Sequence, residues 1–397
     1  MIDFDFDKFC YGCAACSQVC PVGAIEMVKN NEGFKVPVVN KNKCIKCGLC
    51  EKKCPYLNEK EENKIDKGDI IKAVYRKEKK EYRSYTSSGI FNAIALSFIK
   101  SGGYVCGCIW NENMEAIHIV TNDINEIKKM CYSKYVQSDI KNVYAEIEDL
   151  LKNNKKVLIC GTPCQIFAIK RFMEKYSTNL YTISIVCHGT PSPEVWKKYK
   201  EKLEKEQGSK MINANFRYKG KYGWITPFSK YDFLNGKSIQ KLSFADDEYI
   251  IAFGRDALHR NSCYRCKFKG SNSNADLITG DFWGCSNDLL KLSKNKGISA
   301  VIIHSEKGKK MLEDVKDIFE SKDINIDMMT KENGPVLYPV KYNKSRDKFY
   351  LNFKEQQNID GLSKIKTSKK NNIKTILYKL HLFELLKRIT YYFKHRK

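Results

Sequence analysis

Eight cysteines in the first 60 residues repeat one spacing, C-x2-C-x2-C-x3-C-P. The two copies are Cys10, Cys13, Cys16 and Cys20, and Cys44, Cys47, Cys50 and Cys54. Thiolates are soft ligands, which suit iron–sulfur clusters better than harder metals. Three thiolates at two-residue spacings can wrap around one 4Fe–4S cube, and the fourth, just before a proline, points at the other cube. The spacing therefore predicts two 4Fe–4S clusters.

Because the fourth cysteine of each copy serves the other cluster, the two ligand sets cross between the copies. We expect the first cluster at Cys10, Cys13, Cys16 and Cys54, and the second at Cys44, Cys47, Cys50 and Cys20. The alternative is a pair of zinc sites, but zinc ligands usually come as two C-x2-C pairs. Residues 24–27 and 34–39 are predicted to be short strands around a turn. The whole unit, residues 1–60, resembles bacterial-type ferredoxins.

The length and composition of the chain limit the number of domains and the cellular compartment that we expect. Its 397 residues predict two or three domains, and an odd count of 17 cysteines at metal-ligand spacing argues against a disulfide scaffold. The N-terminus has no basic segment followed by an apolar run, and no stretch approaches about 18 uninterrupted apolar residues. We therefore expect a cytoplasmic protein with neither a signal peptide nor a membrane-spanning helix.

The net charge is +24, from 70 basic and 46 acidic side chains. A field of this sign could attract nucleic acid, anionic lipid, acidic proteins or anionic cofactors. The sequence has neither a zinc finger nor an RNP-like aromatic pattern, so we expect no nucleic-acid partner.

The cysteine motifs must be positioned by a larger fold. Residues 61–70 are charged and aperiodic, which predicts a linker. Beyond it, short apolar strands alternate with amphipathic helices, which predicts a mixed α/β domain. The predicted strands are residues 70–76, 104–110, 117–121, 157–160 and 180–187, with helices near 89–99 and 165–174.

Seven segments of this larger part carry a family resemblance. In order they are SYTSSGIFNAIALSFIKSGGYVCGC, YSKYVQSD, CGTPCQ, VCHGTPSPEVWKKY, FRYKGKYGW, LHRNSCYRCKF and ADLITGDFWG. Together they closely resemble the beta subunits of coenzyme F420 hydrogenases and dehydrogenases, with bacterial relatives that carry a fused ferredoxin head. The resemblance implies an α+β chain: a small ferredoxin-like domain fused to a mixed α/β flavin-binding domain, in parts 71–150 and 151–345. It also implies FAD and a further 4Fe–4S cluster beside it.

Four cysteines of the larger part are candidates for that third cluster. They are Cys164 in a strand-to-helix loop, Cys187 at the end of a strand, and the pair Cys263 and Cys266. Four thiolates are the number that a 4Fe–4S cube needs. Cys160 is the main rival of Cys164, because it neighbours the same turn, and inert buried cysteines are the general alternative.

A flavin needs small residues and N–H donors near its pyrophosphate. The candidates are Ser87, Ser88 and Gly89 before a helix, Ser133, Lys134 and Tyr135, and Gly280 and Asp281 at the end of a strand, with Trp283 available to pack on a ring. An ordinary helix start or a solvated lysine is the alternative for each group alone. The sequence has no G-x-G-x-x-G after a first strand, so we expect no Rossmann-type NAD site.

Three polar residues have less specific roles. His188 could donate to a cluster sulfur or relay a proton to a reduced flavin, since a histidine titrates near neutrality, or it could cap a turn. Arg217 and Lys219 could contact an anionic substrate, although a basic surface loop is the alternative.

The last segment, residues 346–397, is strongly basic. From Lys364 onward it has eleven basic residues against one acid, Glu384. Apolar residues at helical spacing, beginning at Ile373 and Ile376, predict a basic amphipathic helix. Such a helix could lie on an anionic membrane surface, dock on a partner or pack on its own domain.

These patterns predict an iron–sulfur flavoprotein oxidoreductase that passes electrons between its clusters and FAD. The family resemblance implies hydride exchange with a soluble substrate such as a deazaflavin, and an electron donor or acceptor as partner. The alternative is a non-catalytic electron-transfer subunit that docks on another enzyme. A third hypothesis is a membrane-associated role in surface polysaccharide assembly.

Overall fold

The structure, a computed structural model, describes residues 1–58, 62–78, 81–356 and 358–366, together with residues 373 and 376. The rest of the basic amphipathic helix predicted near the C-terminus lies outside the described residues. In the part of the chain that is described, no helix is long and apolar enough to cross a membrane.

The N-terminal unit is a two-stranded hairpin with a short helix in each cysteine motif. Its elements are α1 (Phe6–Phe9), α2 (Ala15–Gln18), β1 (Ile25–Lys29), β2 (Lys35–Val39) and α3 (Leu49–Lys53). The strands are antiparallel, with Ile25 opposite Val39, which confirms the hairpin predicted between the motifs. Helices α2 and α3 each begin after a residue in the left-handed region, Ala14 (φ 63°) and Gly48 (φ 73°), so both motifs turn in the same way.

The larger part of the chain is a mixed α/β domain. Its strands are β3 (Ile70–Arg76), β4 (Tyr104–Trp110), β5 (Ala116–Thr121), β6 (Val157–Gly161), β7 (Leu180–Ile185), β8 (Met211–Tyr218), β9 (Phe228–Phe233), β10 (Ser238–Leu242), β11 (Leu277–Asp281), β12 (Ser299–Ile303) and β13 (Phe319–Asp323). Its helices are α4 (Ile90–Lys100), α5 (Ile124–Met130), α6 (Val143–Lys152), α7 (Pro163–Phe172), α8 (Pro193–Gln207), α9 (Glu248–Gly254), α10 (Asn287–Leu292), α11 (Glu306–Glu313), α12 (Ile326–Thr330) and α13 (Ser345–Gln356). The strands and helices predicted up to residue 187 are confirmed, with ends shifted by a few residues.

Eight of these strands form one sheet in the order β13-β3-β12-β11-β7-β6-β4-β5. The four neighbouring strands β11, β7, β6 and β4 run parallel, and the strands on either side are antiparallel. Successive residues of a strand face opposite sides of the sheet. Val157 and Ile159 accordingly pack with α6 and α7, whereas Leu158 packs with α4 and α5 on the other side.

A second core lies beside the large sheet. The three-stranded sheet β10-β9-β8 packs with α8, α9 and α13 around Trp196, Phe216 and Tyr249, all of them buried. Phe349 of α13 and Leu362 beyond it belong to the same core. The packed part of the chain thus continues past residue 345, where the sequence placed the start of the tail, because α13 carries an aromatic face that the second core buries.

Contacts of two arginines are among those that fix the N-terminal unit against the larger domain. The Arg260 guanidinium donates to the backbone oxygens of Cys10 and of Lys35, the latter at 2.9 Å. Glu32, in the hairpin loop, forms a buried ion pair with Arg346 of α13. Hydrogen bonds to charged groups are stronger than neutral ones, so these contacts set the position of the cysteine motifs relative to the sheet.

Candidate functional site

A cavity of about 650 Å³ opens where the parallel strands end. Its lining includes Thr162 after β6, Cys187 and His188 after β7, and Gly280 and Asp281 at the end of β11. In open α/β sheets the carboxyl ends of parallel strands are the usual place for a ligand. The volume falls within the range of pockets that hold small molecules and cofactors.

Most residues that the sequence singled out for a flavin line this cavity. They are Ser87, Gly89, Ser133, Lys134, Tyr135, Gly280 and Asp281, together with Trp283. Ser88 does not line it: its side chain is buried, with its Oγ 2.7 Å from the Oγ of Ser299. The structure thus brings three separate segments of the sequence to one site, and their contact with a flavin stays a prediction.

The turn before α4 has an unusual backbone. Ser87 (φ 51°) and Gly89 (φ 75°) both lie in the left-handed region, and a Cβ on Gly89 would come within 2.5 Å of the Tyr85 ring. The buried Lys219 donates to the carbonyl of Ser87, and burial lowers the pKa of Lys219 to about 7. The turn presents the N-terminus of an eleven-residue helix to the cavity, which is a favourable place for a phosphate.

Arg217 and Asp281 form a buried pair at the cavity. Their side chains are 3.1 Å apart, and the indole N–H of Trp224 donates to the other oxygen of Asp281 at 2.5 Å. The Trp283 ring lies over the Arg217 guanidinium and stacks on Trp224, with centroids 5.0 Å apart. Arg217 and Lys219, which the sequence connected only loosely with an anionic substrate, therefore belong to the cavity region rather than to a surface loop.

Four buried polar atoms of the lining residues have no hydrogen-bond partner among the described residues. They are Arg217 Nε, Thr279 Oγ1, His118 Nδ1 and His188 Nε2. Buried polar groups in proteins are nearly always hydrogen-bonded, so unpartnered ones at a cavity point to a polar ligand. They include a donor at Arg217 and an acceptor at His118, whose Nε2 faces the Cys160 carbonyl oxygen, and the binding of a flavin to them stays a prediction.

The four cysteines proposed for a third cluster lie close together. Burial, followed by the charges of Cys266, Cys187 and Cys263, raises the pKa of Cys164. Cys160 belongs to another group, since the charges that raise its pKa after burial are those of Cys108 and Cys131. All four candidate ligands are thus mutual neighbours, and their rival is not among them.

The eight N-terminal thiols form two groups that cross between the motifs. Cys20 lines a small cavity together with three cysteines of the second motif: Cys44, Cys47 and Cys50. Burial raises the pKa of Cys13, and the charges of Cys16, Cys54 and Cys10 raise it further. These are the two ligand sets expected from the spacing, and the binding of a cluster by each stays a prediction.

Aromatic side chains fill the space between the first motif and the third thiol group. Tyr11, next to Cys10, packs edge-to-face on Phe268 with centroids 4.9 Å apart, and Phe268 packs on Phe167 at 4.8 Å. Cys266 and Cys164 belong to the same small core. The third thiol group thus lies between the ferredoxin-like unit and the cavity. It packs against the ferredoxin-like unit at Tyr11, and its Cys187 lines the cavity.

Lys269 is a residue of this region that the sequence reasoning missed. It is buried, and its ammonium donates to the backbone oxygen of Cys187. Its charge lowers the pKa of Cys187 and of Cys266, against the effect of burial. The only sequence signal was a lysine three residues after a Cys-x2-Cys pair, and its burial, which requires a negative partner, is evident from the structure alone.

His188 stands at the cavity with two other ionisable residues beside it. Its Nε2 is 2.7 Å from Oδ1 of Asp256, and Nε2 of His259 is 3.4 Å from the same oxygen. Burial raises the pKa of Asp256, but the two imidazoles outweigh it and lower the pKa to about 2. Burial lowers the pKa of His259 to about 4. The predicted proton relay at His188 stays a prediction.

Both parts of the chain match models of known protein families. Residues 9–58 match the 4Fe-4S dicluster domain, and residues 154–327 match the C terminus of the coenzyme F420 hydrogenase/dehydrogenase beta subunit. Residues 154–327, somewhat less than half of the chain, are therefore similar to the C-terminal part of these beta subunits. The same chain carries a 4Fe-4S dicluster domain at its N-terminus, and both matches agree with the motifs that the sequence shows.

Two relatives illustrate the two parts. A protein of the F(420)H(2) dehydrogenase from Methanosarcina mazei, named as one of its subunits, is 22% identical over 195 residues, which are 45% of this chain and 53% of that protein. The chain therefore spans about half the length of that relative. A polyferredoxin-like protein from Methanocaldococcus jannaschii is 39% identical over 60 residues, 13% of this chain and 36% of the relative.

One solved structure is also similar. A chain of the F420-reducing NiFe hydrogenase complex from Methanosarcina barkeri aligns with a TM-score of 0.44 and 16% identity, over 76% of the present chain and 91% of that chain.

Proposed function

We propose that this chain is an iron–sulfur flavoprotein oxidoreductase that passes electrons between ferredoxin-type clusters and FAD and exchanges a hydride with a soluble substrate. The observation that carries the proposal is the shared position of Cys187. It lies among the four thiols of the third group and also lines the cavity. A cluster bound there would adjoin a cofactor in the cavity without an intervening layer of protein.

The residues of the cavity divide into those that would hold each end of FAD. The N-terminus of α4, which follows the turn at Ser87 and Gly89, offers N–H donors to phosphate, and Arg217 offers a positive charge. Trp283, whose ring covers Arg217, supplies an apolar surface at the cavity. Bound flavin supplies the conversion between two-electron hydride chemistry and one-electron transfer, which a cluster alone cannot perform.

The surface around the second thiol group suggests the partner. Cys47 is exposed, and so are Lys41, Lys43 and Lys46 around it. The neighbouring Ile45 is 61% exposed. A basic rim around an apolar residue is complementary to an acidic electron-transfer protein, whose approach such charges would steer. The relative from the F(420)H(2) dehydrogenase fits an assembly with a redox partner, and a deazaflavin is the family's implied hydride substrate.

The proposal is tested on full-length protein purified without oxygen. We expect bound FAD, released by acid and identified by its mass, and about 12 iron and 12 sulfide per chain, since three cubes hold four of each. Reduced deazaflavin, NADH and NADPH are then mixed separately with the protein, and bleaching of the flavin band is followed. Protein that contains the iron and sulfide but binds no flavin after incubation with FAD would contradict the proposal and favour the non-catalytic electron-transfer subunit.

A further inference from the structure

Three side chains with metal-ligand chemistry meet outside the thiol groups. Asp256 Oδ1 lies 2.7 Å from Nε2 of His188 and 3.4 Å from Nε2 of His259. One ligand atom from each residue lies within 4.8 Å of the other two. Spacings of this order allow one ion to contact all three atoms.

The ligand atoms of this trio are buried and without hydrogen-bond partners among the described residues. This holds for Nε2 of His188, Oδ1 of Asp256 and both ring nitrogens of His259, whose ring is 0% exposed. Although the His188 and Asp256 atoms are close, they do not have hydrogen-bond geometry, so the ring N–H does not point at the carboxylate. A buried polar atom left unpaired destabilises the fold. A cation that accepts the lone pairs of all three residues would satisfy them together.

The backbone adopts two uncommon conformations to bring these residues together. Asp256, just after α9, lies in the left-handed region with φ 58°. Gly189 has φ 132°, and a Cβ at this position would come within 2.8 Å of Cγ of His259. Backbone conformations of this kind persist where the surrounding structure enforces them, and they are concentrated at functional sites.

We propose that His188, Asp256 and His259 bind a divalent first-row transition-metal ion at the edge of the cavity. Two imidazoles and a carboxylate form the ligand set of many catalytic zinc sites and of non-haem iron sites with open positions. The Phe253 ring packs against both imidazoles, with centroids 5.3 Å from His188 and 5.2 Å from His259. The site is therefore made of a polar trio on an apolar support, and it uses none of the cysteines.

The location gives the ion a role. Because His188 lines the cavity, the coordination positions that the protein leaves open would face whatever the cavity binds. A divalent ion there could polarise an oxygen of an anionic or carbonyl-bearing substrate. This inference goes beyond the proposed flavin and cluster chemistry and does not depend on it.

The test uses full-length protein with its clusters reconstituted, treated with a chelator and loaded with Zn²⁺ as the probe. We expect about one retained zinc per chain, and a zinc K-edge absorption spectrum that reports only nitrogen and oxygen ligands at about 2.0–2.2 Å. Retention of no zinc would overturn the proposal. A shell of sulfur at about 2.3 Å would overturn it as well, since zinc would then occupy cysteines.

Variants connect the zinc to the trio. Asp256→Asn and His188→Gln should each raise the Kd for Zn²⁺ at least about 100-fold, since even supporting residues of metal sites contribute 10–100-fold. His304→Gln is the matched control, because His304 pairs with Asp69 instead, and its zinc affinity should equal that of the unmodified chain. Iron and flavin contents show whether each variant is folded and test the proposed function independently of the zinc count. Unchanged zinc affinity in both trio variants would refute the site.

Discussion

Replacing Cys164 by alanine should remove one cluster and leave the other two. The structure groups twelve of the cysteines into three sets of four, and Cys164 belongs to the set with Cys187, Cys263 and Cys266. Four irons per cube give about 12 per chain, so the loss of one cube leaves about 8. Cys160→Ala is the matched control, because Cys160 lies in the same strand-to-helix segment but belongs to another thiol group. It should retain about 12 irons.

The assay measures iron and acid-labile sulfide per chain after anaerobic reconstitution, with electron paramagnetic resonance of the reduced protein to count the clusters. The reasoning is refuted if Cys160→Ala falls to about 8 irons while Cys164→Ala keeps about 12. It is also refuted if the unmodified chain binds only about 8, because the third set of thiols would then hold no cube. A fall in both variants would show that the substitutions had damaged the segment rather than removed a ligand. The flavin content of each variant tests this, because a damaged segment would lose flavin as well as iron.

Three further predictions concern the surroundings of the redox groups. Lys269→Met should shift the reduction potential of the third cluster to a more negative value, because a buried positive charge favours the reduced cluster; a redox titration that showed no shift relative to Lys267→Met would contradict this. Arg217→Met should raise the Kd for FAD roughly 10- to 100-fold, since hydrogen bonds to charged groups contribute about 1.5–3 kcal/mol, as measured by fluorescence titration. Unaltered affinity would place the pyrophosphate elsewhere. Lys43→Glu with Lys46→Glu should slow reduction by an acidic ferredoxin about tenfold at low ionic strength, and the difference should vanish near 1 M salt. A salt-independent difference would exclude steering.

The elements that could be predicted from the sequence are those with a strong local pattern. β3, β4, β6 and β7 are apolar runs bounded by charged or glycine-containing turns, and the helix of the Cys164 segment starts at a Thr-Pro pair, with a capping box between Thr162 and Gln165. The N-terminal thiol motif is equally local, because three of its four ligands to one cube come from a single loop. Each of these signals lies within about a dozen residues.

The elements that the sequence did not reveal depend on distant contacts. In the large sheet β12 lies between β11 and β3, so strands from the two ends of the domain are neighbours. Register in such a sheet is decided by side chains that meet across strands, which no local window contains. The second core has the same character, since it joins α8 and α9 to α13, which lies far along the chain.

The polar residues of the site show the same limit. Arg217 and Asp281 stand in different strands, and Lys219 was interpretable as one more cation in a basic chain. Only their burial marks these residues as candidates for a binding site, because a charge removed from water needs a partner or a ligand. A composition with 70 basic side chains hides the few that are buried among the many that are solvated.

Cys160 and Cys164 show how the fold resolves an ambiguity that spacing leaves open. Cys160 is in β6, where its side chain points to the same face as Leu158, and it lines the cavity. Cys164 follows the end of the strand, on α7, and packs with Tyr11 and Phe268 on the side of the ferredoxin-like unit. Alternation along the strand and the reversal into the helix thus send two cysteines of one segment to opposite sides. The turn that ends β6 lies between Cys160 in the cavity and Cys164 in the thiol group, and Cys187 belongs to both places, so a flavin and a cluster bound there would be direct neighbours.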